Sequence, residues 1–359
     1  MKFIHIGCWN YNSEQDNTKD VLISLNDYVS SNFGRYDFIV IAGDNYYPNI
    51  ERYNTNTLKW IDVEQMLSNF KLFPENVEKY LLFGNNDIND KTVIDKDNKD
   101  KIVKIFKNDT GFNSYKNLTE NIDQEKSCRL VDIEMLYTKG TKFRVYNGVM
   151  FRISGSNLVI MIDTSIYDKE IDNESVQCYK RILNTDYNEE LSLEDLINDQ
   201  NKAIMELIEQ NVNKCSNLVI IGHHPICGMI ICNERDTLQT NDKLICLFRN
   251  ICCMIKKNDC YINISYLCSH IHSYENLEIN IDNYLISQYI CGCGGAELDK
   301  VNTSFENKED NNYEVIIRHK DIYIKIKSII NKTFGYLVVD LPDGKEKINV
   351  DFIQVKKIE

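Results

Sequence analysis

Residues 37–47 read DFIVIAGDNYY, an unbroken apolar run that ends in Gly-Asp-Asn. A continuous run of β-branched and apolar residues is typical of a strand that is buried on both faces of a parallel sheet. Similar runs end at Gly7 and Gly84, and helical periodicity separates them over residues 19–30 and 60–70. This β-α-β-α-β order predicts an α/β fold in which helices cover a largely parallel sheet.

Closely spaced strand patterns dominate the rest of the chain, beginning with runs at residues 143–146, 149–154 and 158–163. Helical patterns follow at residues 193–210 and 244–256, with strands between and after them, and residues 313–356 are almost entirely strand-like. Residues 88–141 are polar and rich in Asn, Asp and Lys, which indicates an insertion or long loops. The order predicts one domain over residues 1–359, with two packed β-sheets and helices outside them.

The overall charge limits the possible partners. The chain has 41 Lys and Arg against 54 Asp and Glu, a formal net charge of −13, which argues against binding to nucleic acid or to an anionic membrane. No run approaches the roughly 18–20 apolar residues of a membrane span, and the first ten residues lack the apolar core of a signal peptide. The 13 Cys include no C-x-x-C pair, so a zinc ribbon is not supported. We expect a cytoplasmic or otherwise intracellular protein with reduced cysteines.

Four of the six histidines fall in two clusters, and each cluster directly follows a predicted buried strand. The clusters are His-His-Pro at 223–225 and His-Ile-His at 270–272, while two other strand ends carry Asp44 and Asn85. The carboxyl ends of strands in α/β sheets meet at one edge, where ligands bind. Imidazole and carboxylate groups together suit Zn, Fe or Mn. The sequence therefore predicts a transition-metal site at this edge.

The order of these motifs resembles that of the calcineurin-like metallophosphoesterases, and most closely that of the purple or tartrate-resistant acid phosphatases. The matching segments cover nearly the whole chain: GCW (7–9), GDNYY (43–47), GNND (84–87), MIDTS (161–165), GHHP (222–225), SHIHSYE (269–275), CGCGG (291–295), FGYLVVDL (334–341) and INVDFIQV (348–355). The resemblance implies a four-layer α/β/β/α sandwich in which two mixed sheets face each other.

The resemblance also implies a centre of two metal ions with Asp44 as the bridging carboxylate. One ion, of Fe, Zn or Mn, would be held by four residues that this sequence keeps: Asp44, Asn85, His223 and His270. The other would be held by Asp44, Tyr47, His272 and the residue at position 8, which is Cys8 here. In such centres two cations roughly 3.5–4 Å apart hold the phosphate, neutralise developing charge and activate the attacking water.

Two residues depart from the family pattern. Cys8 stands where the family has an Asp ligand, and a thiolate binds zinc well but selects against harder ions. Asn86 stands where the family has a His that gives the leaving group its proton, which Asn cannot do; general acid catalysis contributes roughly 10²–10⁴ in rate. His224 is a further candidate contact for the phosphate, or else a structural residue. We expect one complete metal site and a compromised second one.

Two functions stay open at this point. The first is a phosphomonoesterase that acts on a phosphorylated small molecule or a phosphoprotein and is impaired by Cys8 and Asn86. The second is a catalytically degenerate phosphatase fold that serves as a binding or structural module. The six retained ligands favour the first function and the two substitutions favour the second. A nuclease is disfavoured by the net charge and by the Gly-Asp-x-x-Tyr pattern at residues 43–47, and the sequence indicates no particular protein partner.

Overall fold

The computed structural model describes residues 1–10, 17–45, 47, 69–88, 149–171, 192–299 and 315–355, apart from residues 33, 71, 170, 233–234, 320 and 331. It also describes the backbone of six short strands between residues 53 and 145.

The strands and helices of these residues are as follows. The strands are, in chain order, Lys2–Ile6 (β1), Phe38–Ala42 (β2), Tyr53–Asn54 (β3), Lys59–Trp60 (β4), Glu78–Leu82 (β5), Lys91–Ile94 (β6), Ile102–Ile105 (β7), Val131–Glu134 (β8), Lys142–Val145 (β9), Val149–Ser154 (β10), Asn157–Ile162 (β11), Asn217–Ile221 (β12), Cys227–Cys232 (β13), Arg235–Thr240 (β14), Asn263–Cys268 (β15), Tyr274–Ile281 (β16), Tyr284–Cys291 (β17), Val315–His319 (β18), Ile322–Ile330 (β19), Phe334–Asp340 (β20) and Asn349–Val355 (β21). The α-helices are Thr18–Ser31 (α1), Asn85–Ile88 (α2), Leu193–Asn211 (α3) and Asp242–Lys257 (α4), and Ser165–Tyr167 forms a 3-10 turn.

Two large mixed sheets contain most of the strands. The first has the spatial order β21-β20-β1-β2-β5-β9-β8, and its neighbours β1, β2, β5 and β9 run parallel. The second has the order β10-β11-β12-β15-β17-β16-β19-β18, with β11, β12, β15 and β17 parallel. The outer strands of both sheets are antiparallel. Each sheet therefore has a parallel centre whose carboxyl ends are followed by the polar motifs.

A shared apolar core joins the two sheets. Phe3, Val40 and Leu82 of the first sheet pack in one buried cluster with Val159 and Ile221 of the second. The outer faces are covered by helices, because α1 contacts β20 and β21 while α3 and α4 contact strands of the second sheet. The result is the predicted α/β/β/α layering with two facing mixed sheets.

The helices form where the sequence provides caps and an apolar stripe. Ser192 and Asp195 make a capping box at the start of α3, and the Asn241 side chain accepts the N–H of Leu244 at the start of α4. The buried residues of α4 recur at the spacing of one helix face: Leu244, Leu247, Phe248, Ile251, Cys252 and Ile255. This face packs on the second sheet, where Phe248 contacts the ring of Tyr266 in β15 at a centroid distance of 5.0 Å.

Some predicted elements differ from the structure. The helix predicted over residues 60–70 is wrong at its start, because Trp60 pairs with Tyr53 in a short hairpin; residues 61–68 lie outside the described residues. Cross-strand pairing has overridden the apolar spacing, which is a weak predictor on its own. Part of the polar stretch at 88–141 forms strands β6, β7 and β8, and the rest lies outside the described residues. The extent of a single domain over residues 1–359 stays a prediction.

Candidate metal centre

The polar strand ends of both sheets converge on one site. Cys8, Asp44 and Asn85 follow the adjacent parallel strands β1, β2 and β5, while His223 and His270 follow the adjacent parallel strands β12 and β15. Nitrogen atoms of the histidines and oxygen atoms of the Asp and Asn side chains approach within hydrogen-bond or ion-pair distance across the two sheets. The structure thus brings together the residues that the sequence places at separate strand ends.

His223 is at the middle of this group. Its Nδ1 lies 2.7 Å from the carbonyl oxygen of Ala42, so Nδ1 carries a proton and donates it. Its Nε2 then faces two oxygen atoms, Asp44 Oδ1 at 3.4 Å and Asn85 Oδ1 at 3.2 Å. The Asn85 oxygen also lies 3.1 Å from Nδ1 of His270. A nitrogen lone pair that faces oxygen lone pairs is stable only with a cation or a proton between them.

The pKa shifts of the group indicate how its charges affect one another. Burial would raise the pKa of the Asp44 carboxyl, but the charge of His223 holds that pKa well below its usual range. Burial would likewise lower the pKa of His223, yet the Asp44 charge raises it above its ordinary value. The pKa of His270 is well below its ordinary value because of burial and the neighbouring His224 and His223. The charge of Asp44 thus favours a positive charge at this place, and the nitrogen and oxygen atoms around it are ligands that fit a divalent metal ion.

The backbone around the group is unusual. Cys8, Asp44 and His270 have φ values of 49°, 52° and 64°, a left-handed region that non-glycine residues rarely adopt. Such conformations concentrate at functional sites, where the surrounding structure over-determines them. Gly84 is required for a different reason, since a Cβ there would lie 2.2 Å from Asp44 Oδ1. The absence of a side chain at Gly84 thus lets the Asp44 carboxylate lie directly against the backbone that follows β5.

The remaining predicted ligands form a second half of the site. Tyr47 and His272 contact each other, with the phenol oxygen 3.1 Å from Nε2 of His272. Nδ1 of His272 lies 2.6 Å from the carbonyl of Glu297, which leaves Nε2 directed at Tyr47. Cys8 is fully buried and is packed with Tyr47, and its sulfur accepts the N–H of His270 at 3.1 Å. All the predicted ligands therefore meet in one place.

Asn86 has a definite role in the structure. Its backbone N–H donates to Asp44 Oδ1 at 2.9 Å, and its side-chain amide donates to Asp44 Oδ2 at 2.8 Å. These bonds stabilise the charged form of Asp44. The amide is thereby engaged with the carboxylate that would bridge two ions.

His224 lies beside the centre and has two neighbours, Thr164 and Asp168, that the sequence does not indicate. Thr164 Oγ1 accepts the backbone N–H groups of His223 and His224, both at 2.8 Å, and lies 3.2 Å from Nδ1 of His224. Nε2 of His224 lies 3.2 Å from Asp168 Oδ2, without the alignment of a hydrogen bond. One nitrogen each of His223, His224 and His270 lie within 4.8 Å of one another. Thr164 belongs to the MIDTS motif at residues 161–165, which predicts a strand end but not the hydrogen bonds to residues 223 and 224.

Asp87 is a second supporting residue that the sequence did not single out. Its carboxylate accepts the N–H of Gly84 at 2.8 Å and the N–H of Asn45 at 3.1 Å, which ties the two motifs of the first sheet together. Burial and the charge of Asp44 raise its pKa to about 7. Asn45 in turn accepts the indole N–H of Trp9 at 3.0 Å. These hydrogen bonds thus join the ends of strands β1, β2 and β5 next to the site.

Among the residues that the structure describes, none belongs to a helix long and apolar enough to cross a bilayer.

Comparison with known proteins identifies the family. No curated protein sequence matches the chain. The solved structure of PhoD aligns with 100% of this chain and 72% of its own, at 12% identity and a TM-score of 0.48. The resemblance to purple acid phosphatases in particular stays a prediction. The family model for calcineurin-like phosphoesterases matches residues 1–274, which is most of the chain and includes all the candidate metal ligands. The chain therefore belongs to the calcineurin-like phosphoesterase family, whose membership implies a metal-dependent phosphoesterase that binds divalent metal ions.

Proposed function

We propose that this protein hydrolyses phosphomonoesters, on a phosphorylated small molecule or a phosphoprotein, and does so slowly. The observation that carries the proposal is the group formed by Asp44, Asn85, His223 and His270, in which oxygen and nitrogen ligands surround a place that only a cation suits. Bound divalent ions would hold the phosphate, neutralise its developing charge and lower the pKa of the attacking water.

The residues of the chain have separate tasks in this proposal. Asp44, Asn85, His223 and His270 would hold one ion, and Asp44 would also face the second. Tyr47 and His272 would complete that second position with Cys8. The proposed metals are Zn, Fe or Mn, since the donor set mixes imidazole, carboxylate, phenol and thiol groups.

The proposed slowness follows from Asn86. An amide donates hydrogen bonds but has no proton to transfer to a leaving oxygen, and this amide is already bonded to Asp44 Oδ2. Without a general acid the rate depends on the leaving group, so activated aryl phosphates should react much faster than alkyl phosphates. The net charge of −13 makes a nucleic acid a poor substrate.

The same observation supports a second candidate function. If the Asn86 amide holds Asp44 so firmly that no second ion enters, the protein would bind phosphate compounds or a partner without hydrolysing them. We prefer the phosphoesterase, and its support is the proximity of the proposed ligand atoms to one another.

The experiment that separates the two functions uses purified protein freed of metal by a chelator and reloaded with Zn²⁺, Mn²⁺ or Fe²⁺. We expect hydrolysis of nitrophenyl phosphate that depends on added metal and is lost in Asp44→Asn. Cys252→Ala, in the core of α4, is the matched control and should keep the activity. Metal binding by the reloaded protein without any metal-dependent hydrolysis would instead establish the binding module.

A further inference from the structure

Cys8 differs in its surroundings from Cys252, a cysteine of the apolar core. The thiol of Cys252 packs among the apolar side chains of α4, where a cysteine acts as a small hydrophobic residue. The sulfur of Cys8 instead lies with an Asp44 carboxylate oxygen and a His223 nitrogen, all within 4.8 Å of one another. Its environment is that of a ligand atom.

The position of this sulfur is tightly defined. The N–H of Cys8 donates to the carbonyl of Gly43 at 3.2 Å, and the carbonyl of Cys8 accepts from Ala296 at 3.1 Å. These bonds hold the residue at its left-handed φ of 49°. Gly292 packs closely against the sulfur, since a Cβ there would lie 3.3 Å from it.

The sulfur also receives a hydrogen bond suited to its charged form. The backbone N–H of His270 points to Cys8 Sγ at 3.1 Å. Hydrogen bonds from backbone N–H groups stabilise a thiolate that is bound to a metal and orient its lone pairs. Two buried acidic groups, Cys8 and Asp44, can both be charged in this place only if a cation lies between them.

We propose that Cys8 is a thiolate metal ligand that makes the second position of the centre selective for borderline-soft ions such as Zn²⁺ over hard ions such as Mn²⁺. This inference rests on the proposed function, because it assigns the metal of the same site. Soft thiolate ligands select Zn and Cu(I), whereas carboxylate ligands suit Mg and Mn. Substitution of the family's Asp has then changed the metal preference of this position while keeping a ligand there.

The test is a titration of metal-free protein with Co²⁺, a spectroscopic substitute for Zn²⁺, followed by absorption and elemental analysis. We expect two equivalents of Co²⁺ or Zn²⁺ per chain, with a thiolate-to-cobalt charge-transfer band in the near ultraviolet, but one equivalent of Mn²⁺. Cys8→Asp should abolish the band and raise Mn²⁺ binding to two equivalents. Cys8→Ala should abolish the band, and Cys252→Ala should keep it.

Circular dichroism of each variant checks that it is folded. Two equivalents of cobalt without a thiolate band, or a band that survives in folded Cys8→Ala, would overturn the assignment of Cys8 while leaving the phosphoesterase proposal intact. The absence of any bound metal in the wild-type protein would overturn both. Equal binding of Mn²⁺ by the wild type and Cys8→Asp would overturn the selectivity.

Discussion

A buried histidine in the first strand makes the stability of this protein depend on pH in a way that can be measured. His5 pairs in register with Val40 on one side and Leu337 on the other, and its side chain is fully buried. Neither ring nitrogen has a hydrogen-bond partner among the described residues. Burial, with a smaller contribution from the charge of His223, lowers the pKa of His5 from 6.5 to about 3.

The sign and size of the effect follow from linkage. Below pH 6.5 the unfolded chain takes up a proton at His5 that the folded chain rejects until about pH 3, so stability falls as the pH falls through this window. At pH 5.0 the protonated form of the unfolded histidine exceeds the neutral form about 30-fold, which corresponds to about 2 kcal/mol, whereas the loss at pH 7.5 is about 0.1 kcal/mol or less. A folded pKa of 4 instead of 3 would hardly change these values.

The assay is urea unfolding of metal-free protein at pH 7.5 and pH 5.0, followed by circular dichroism. His5→Leu should be at least as stable as the wild type at pH 7.5, because it removes two unsatisfied buried nitrogens. Between pH 7.5 and 5.0 it should lose about 2 kcal/mol less than the wild type. Taking the difference between the two proteins removes the contribution of groups that both share.

Two further variants isolate the titration. His5→Gln keeps a polar side chain without a charge change, so it should be less stable than His5→Leu but lose the same free energy of unfolding on acidification. Val40→Ala should be destabilised through lost packing at the paired position while keeping the wild-type pH dependence. Equal losses in the wild type and His5→Leu on acidification would show that the imidazole is protonated or hydrogen-bonded in the fold, and would refute the reasoning.

Three other predictions concern the site. Asn86→His should raise the rate on alkyl phosphates by roughly 10²-fold or more, and Cys8→Asp should raise the activity with Mn²⁺; the two effects should not simply add, since both changes act on one transition state. Assays of the single and double variants on nitrophenyl and alkyl phosphates check this. An unchanged preference for aryl phosphates would contradict it. Gly84→Ala should cost about 1–3 kcal/mol and weaken metal binding, because its Cβ would clash with the Asp44 carboxylate. Urea unfolding and metal analysis measure the two effects, and a normal metal content would count against the geometry. Thr164→Val should lower the free energy of unfolding by about 2–4 kcal/mol, because it removes the acceptor of two buried N–H groups, while Thr164→Ser should be nearly neutral. Equal stability of the two variants in urea unfolding would show that the hydroxyl is not that acceptor.

Much of the fold and of the candidate site follows from local sequence patterns. The runs before Gly7, Gly43 and Gly84 predict buried parallel strands, since their apolar character does not alternate, and the structure places β1, β2 and β5 there as neighbours. Residues that end such strands meet at one edge, which is why Asp44 and Asn85 could be predicted to lie together. Isolated features were less predictable, as the pairing of Trp60 in a hairpin shows.

Only the tertiary structure decided which partners these residues have. The sequence places Asn86 at the site but does not show that its amide is bonded to Asp44, and it places Thr164 at a strand end without showing that it accepts two N–H groups from the other motif. Likewise, the sequence places Cys8 at a strand end but does not show that its sulfur accepts the N–H of His270. Strand patterns record whether a side chain is buried, because burial repeats with the period of the element. Contacts with another strand or with the other sheet depend on how the two sheets face each other. The residues in such contacts are far apart along the chain, so no local period of the sequence encodes them.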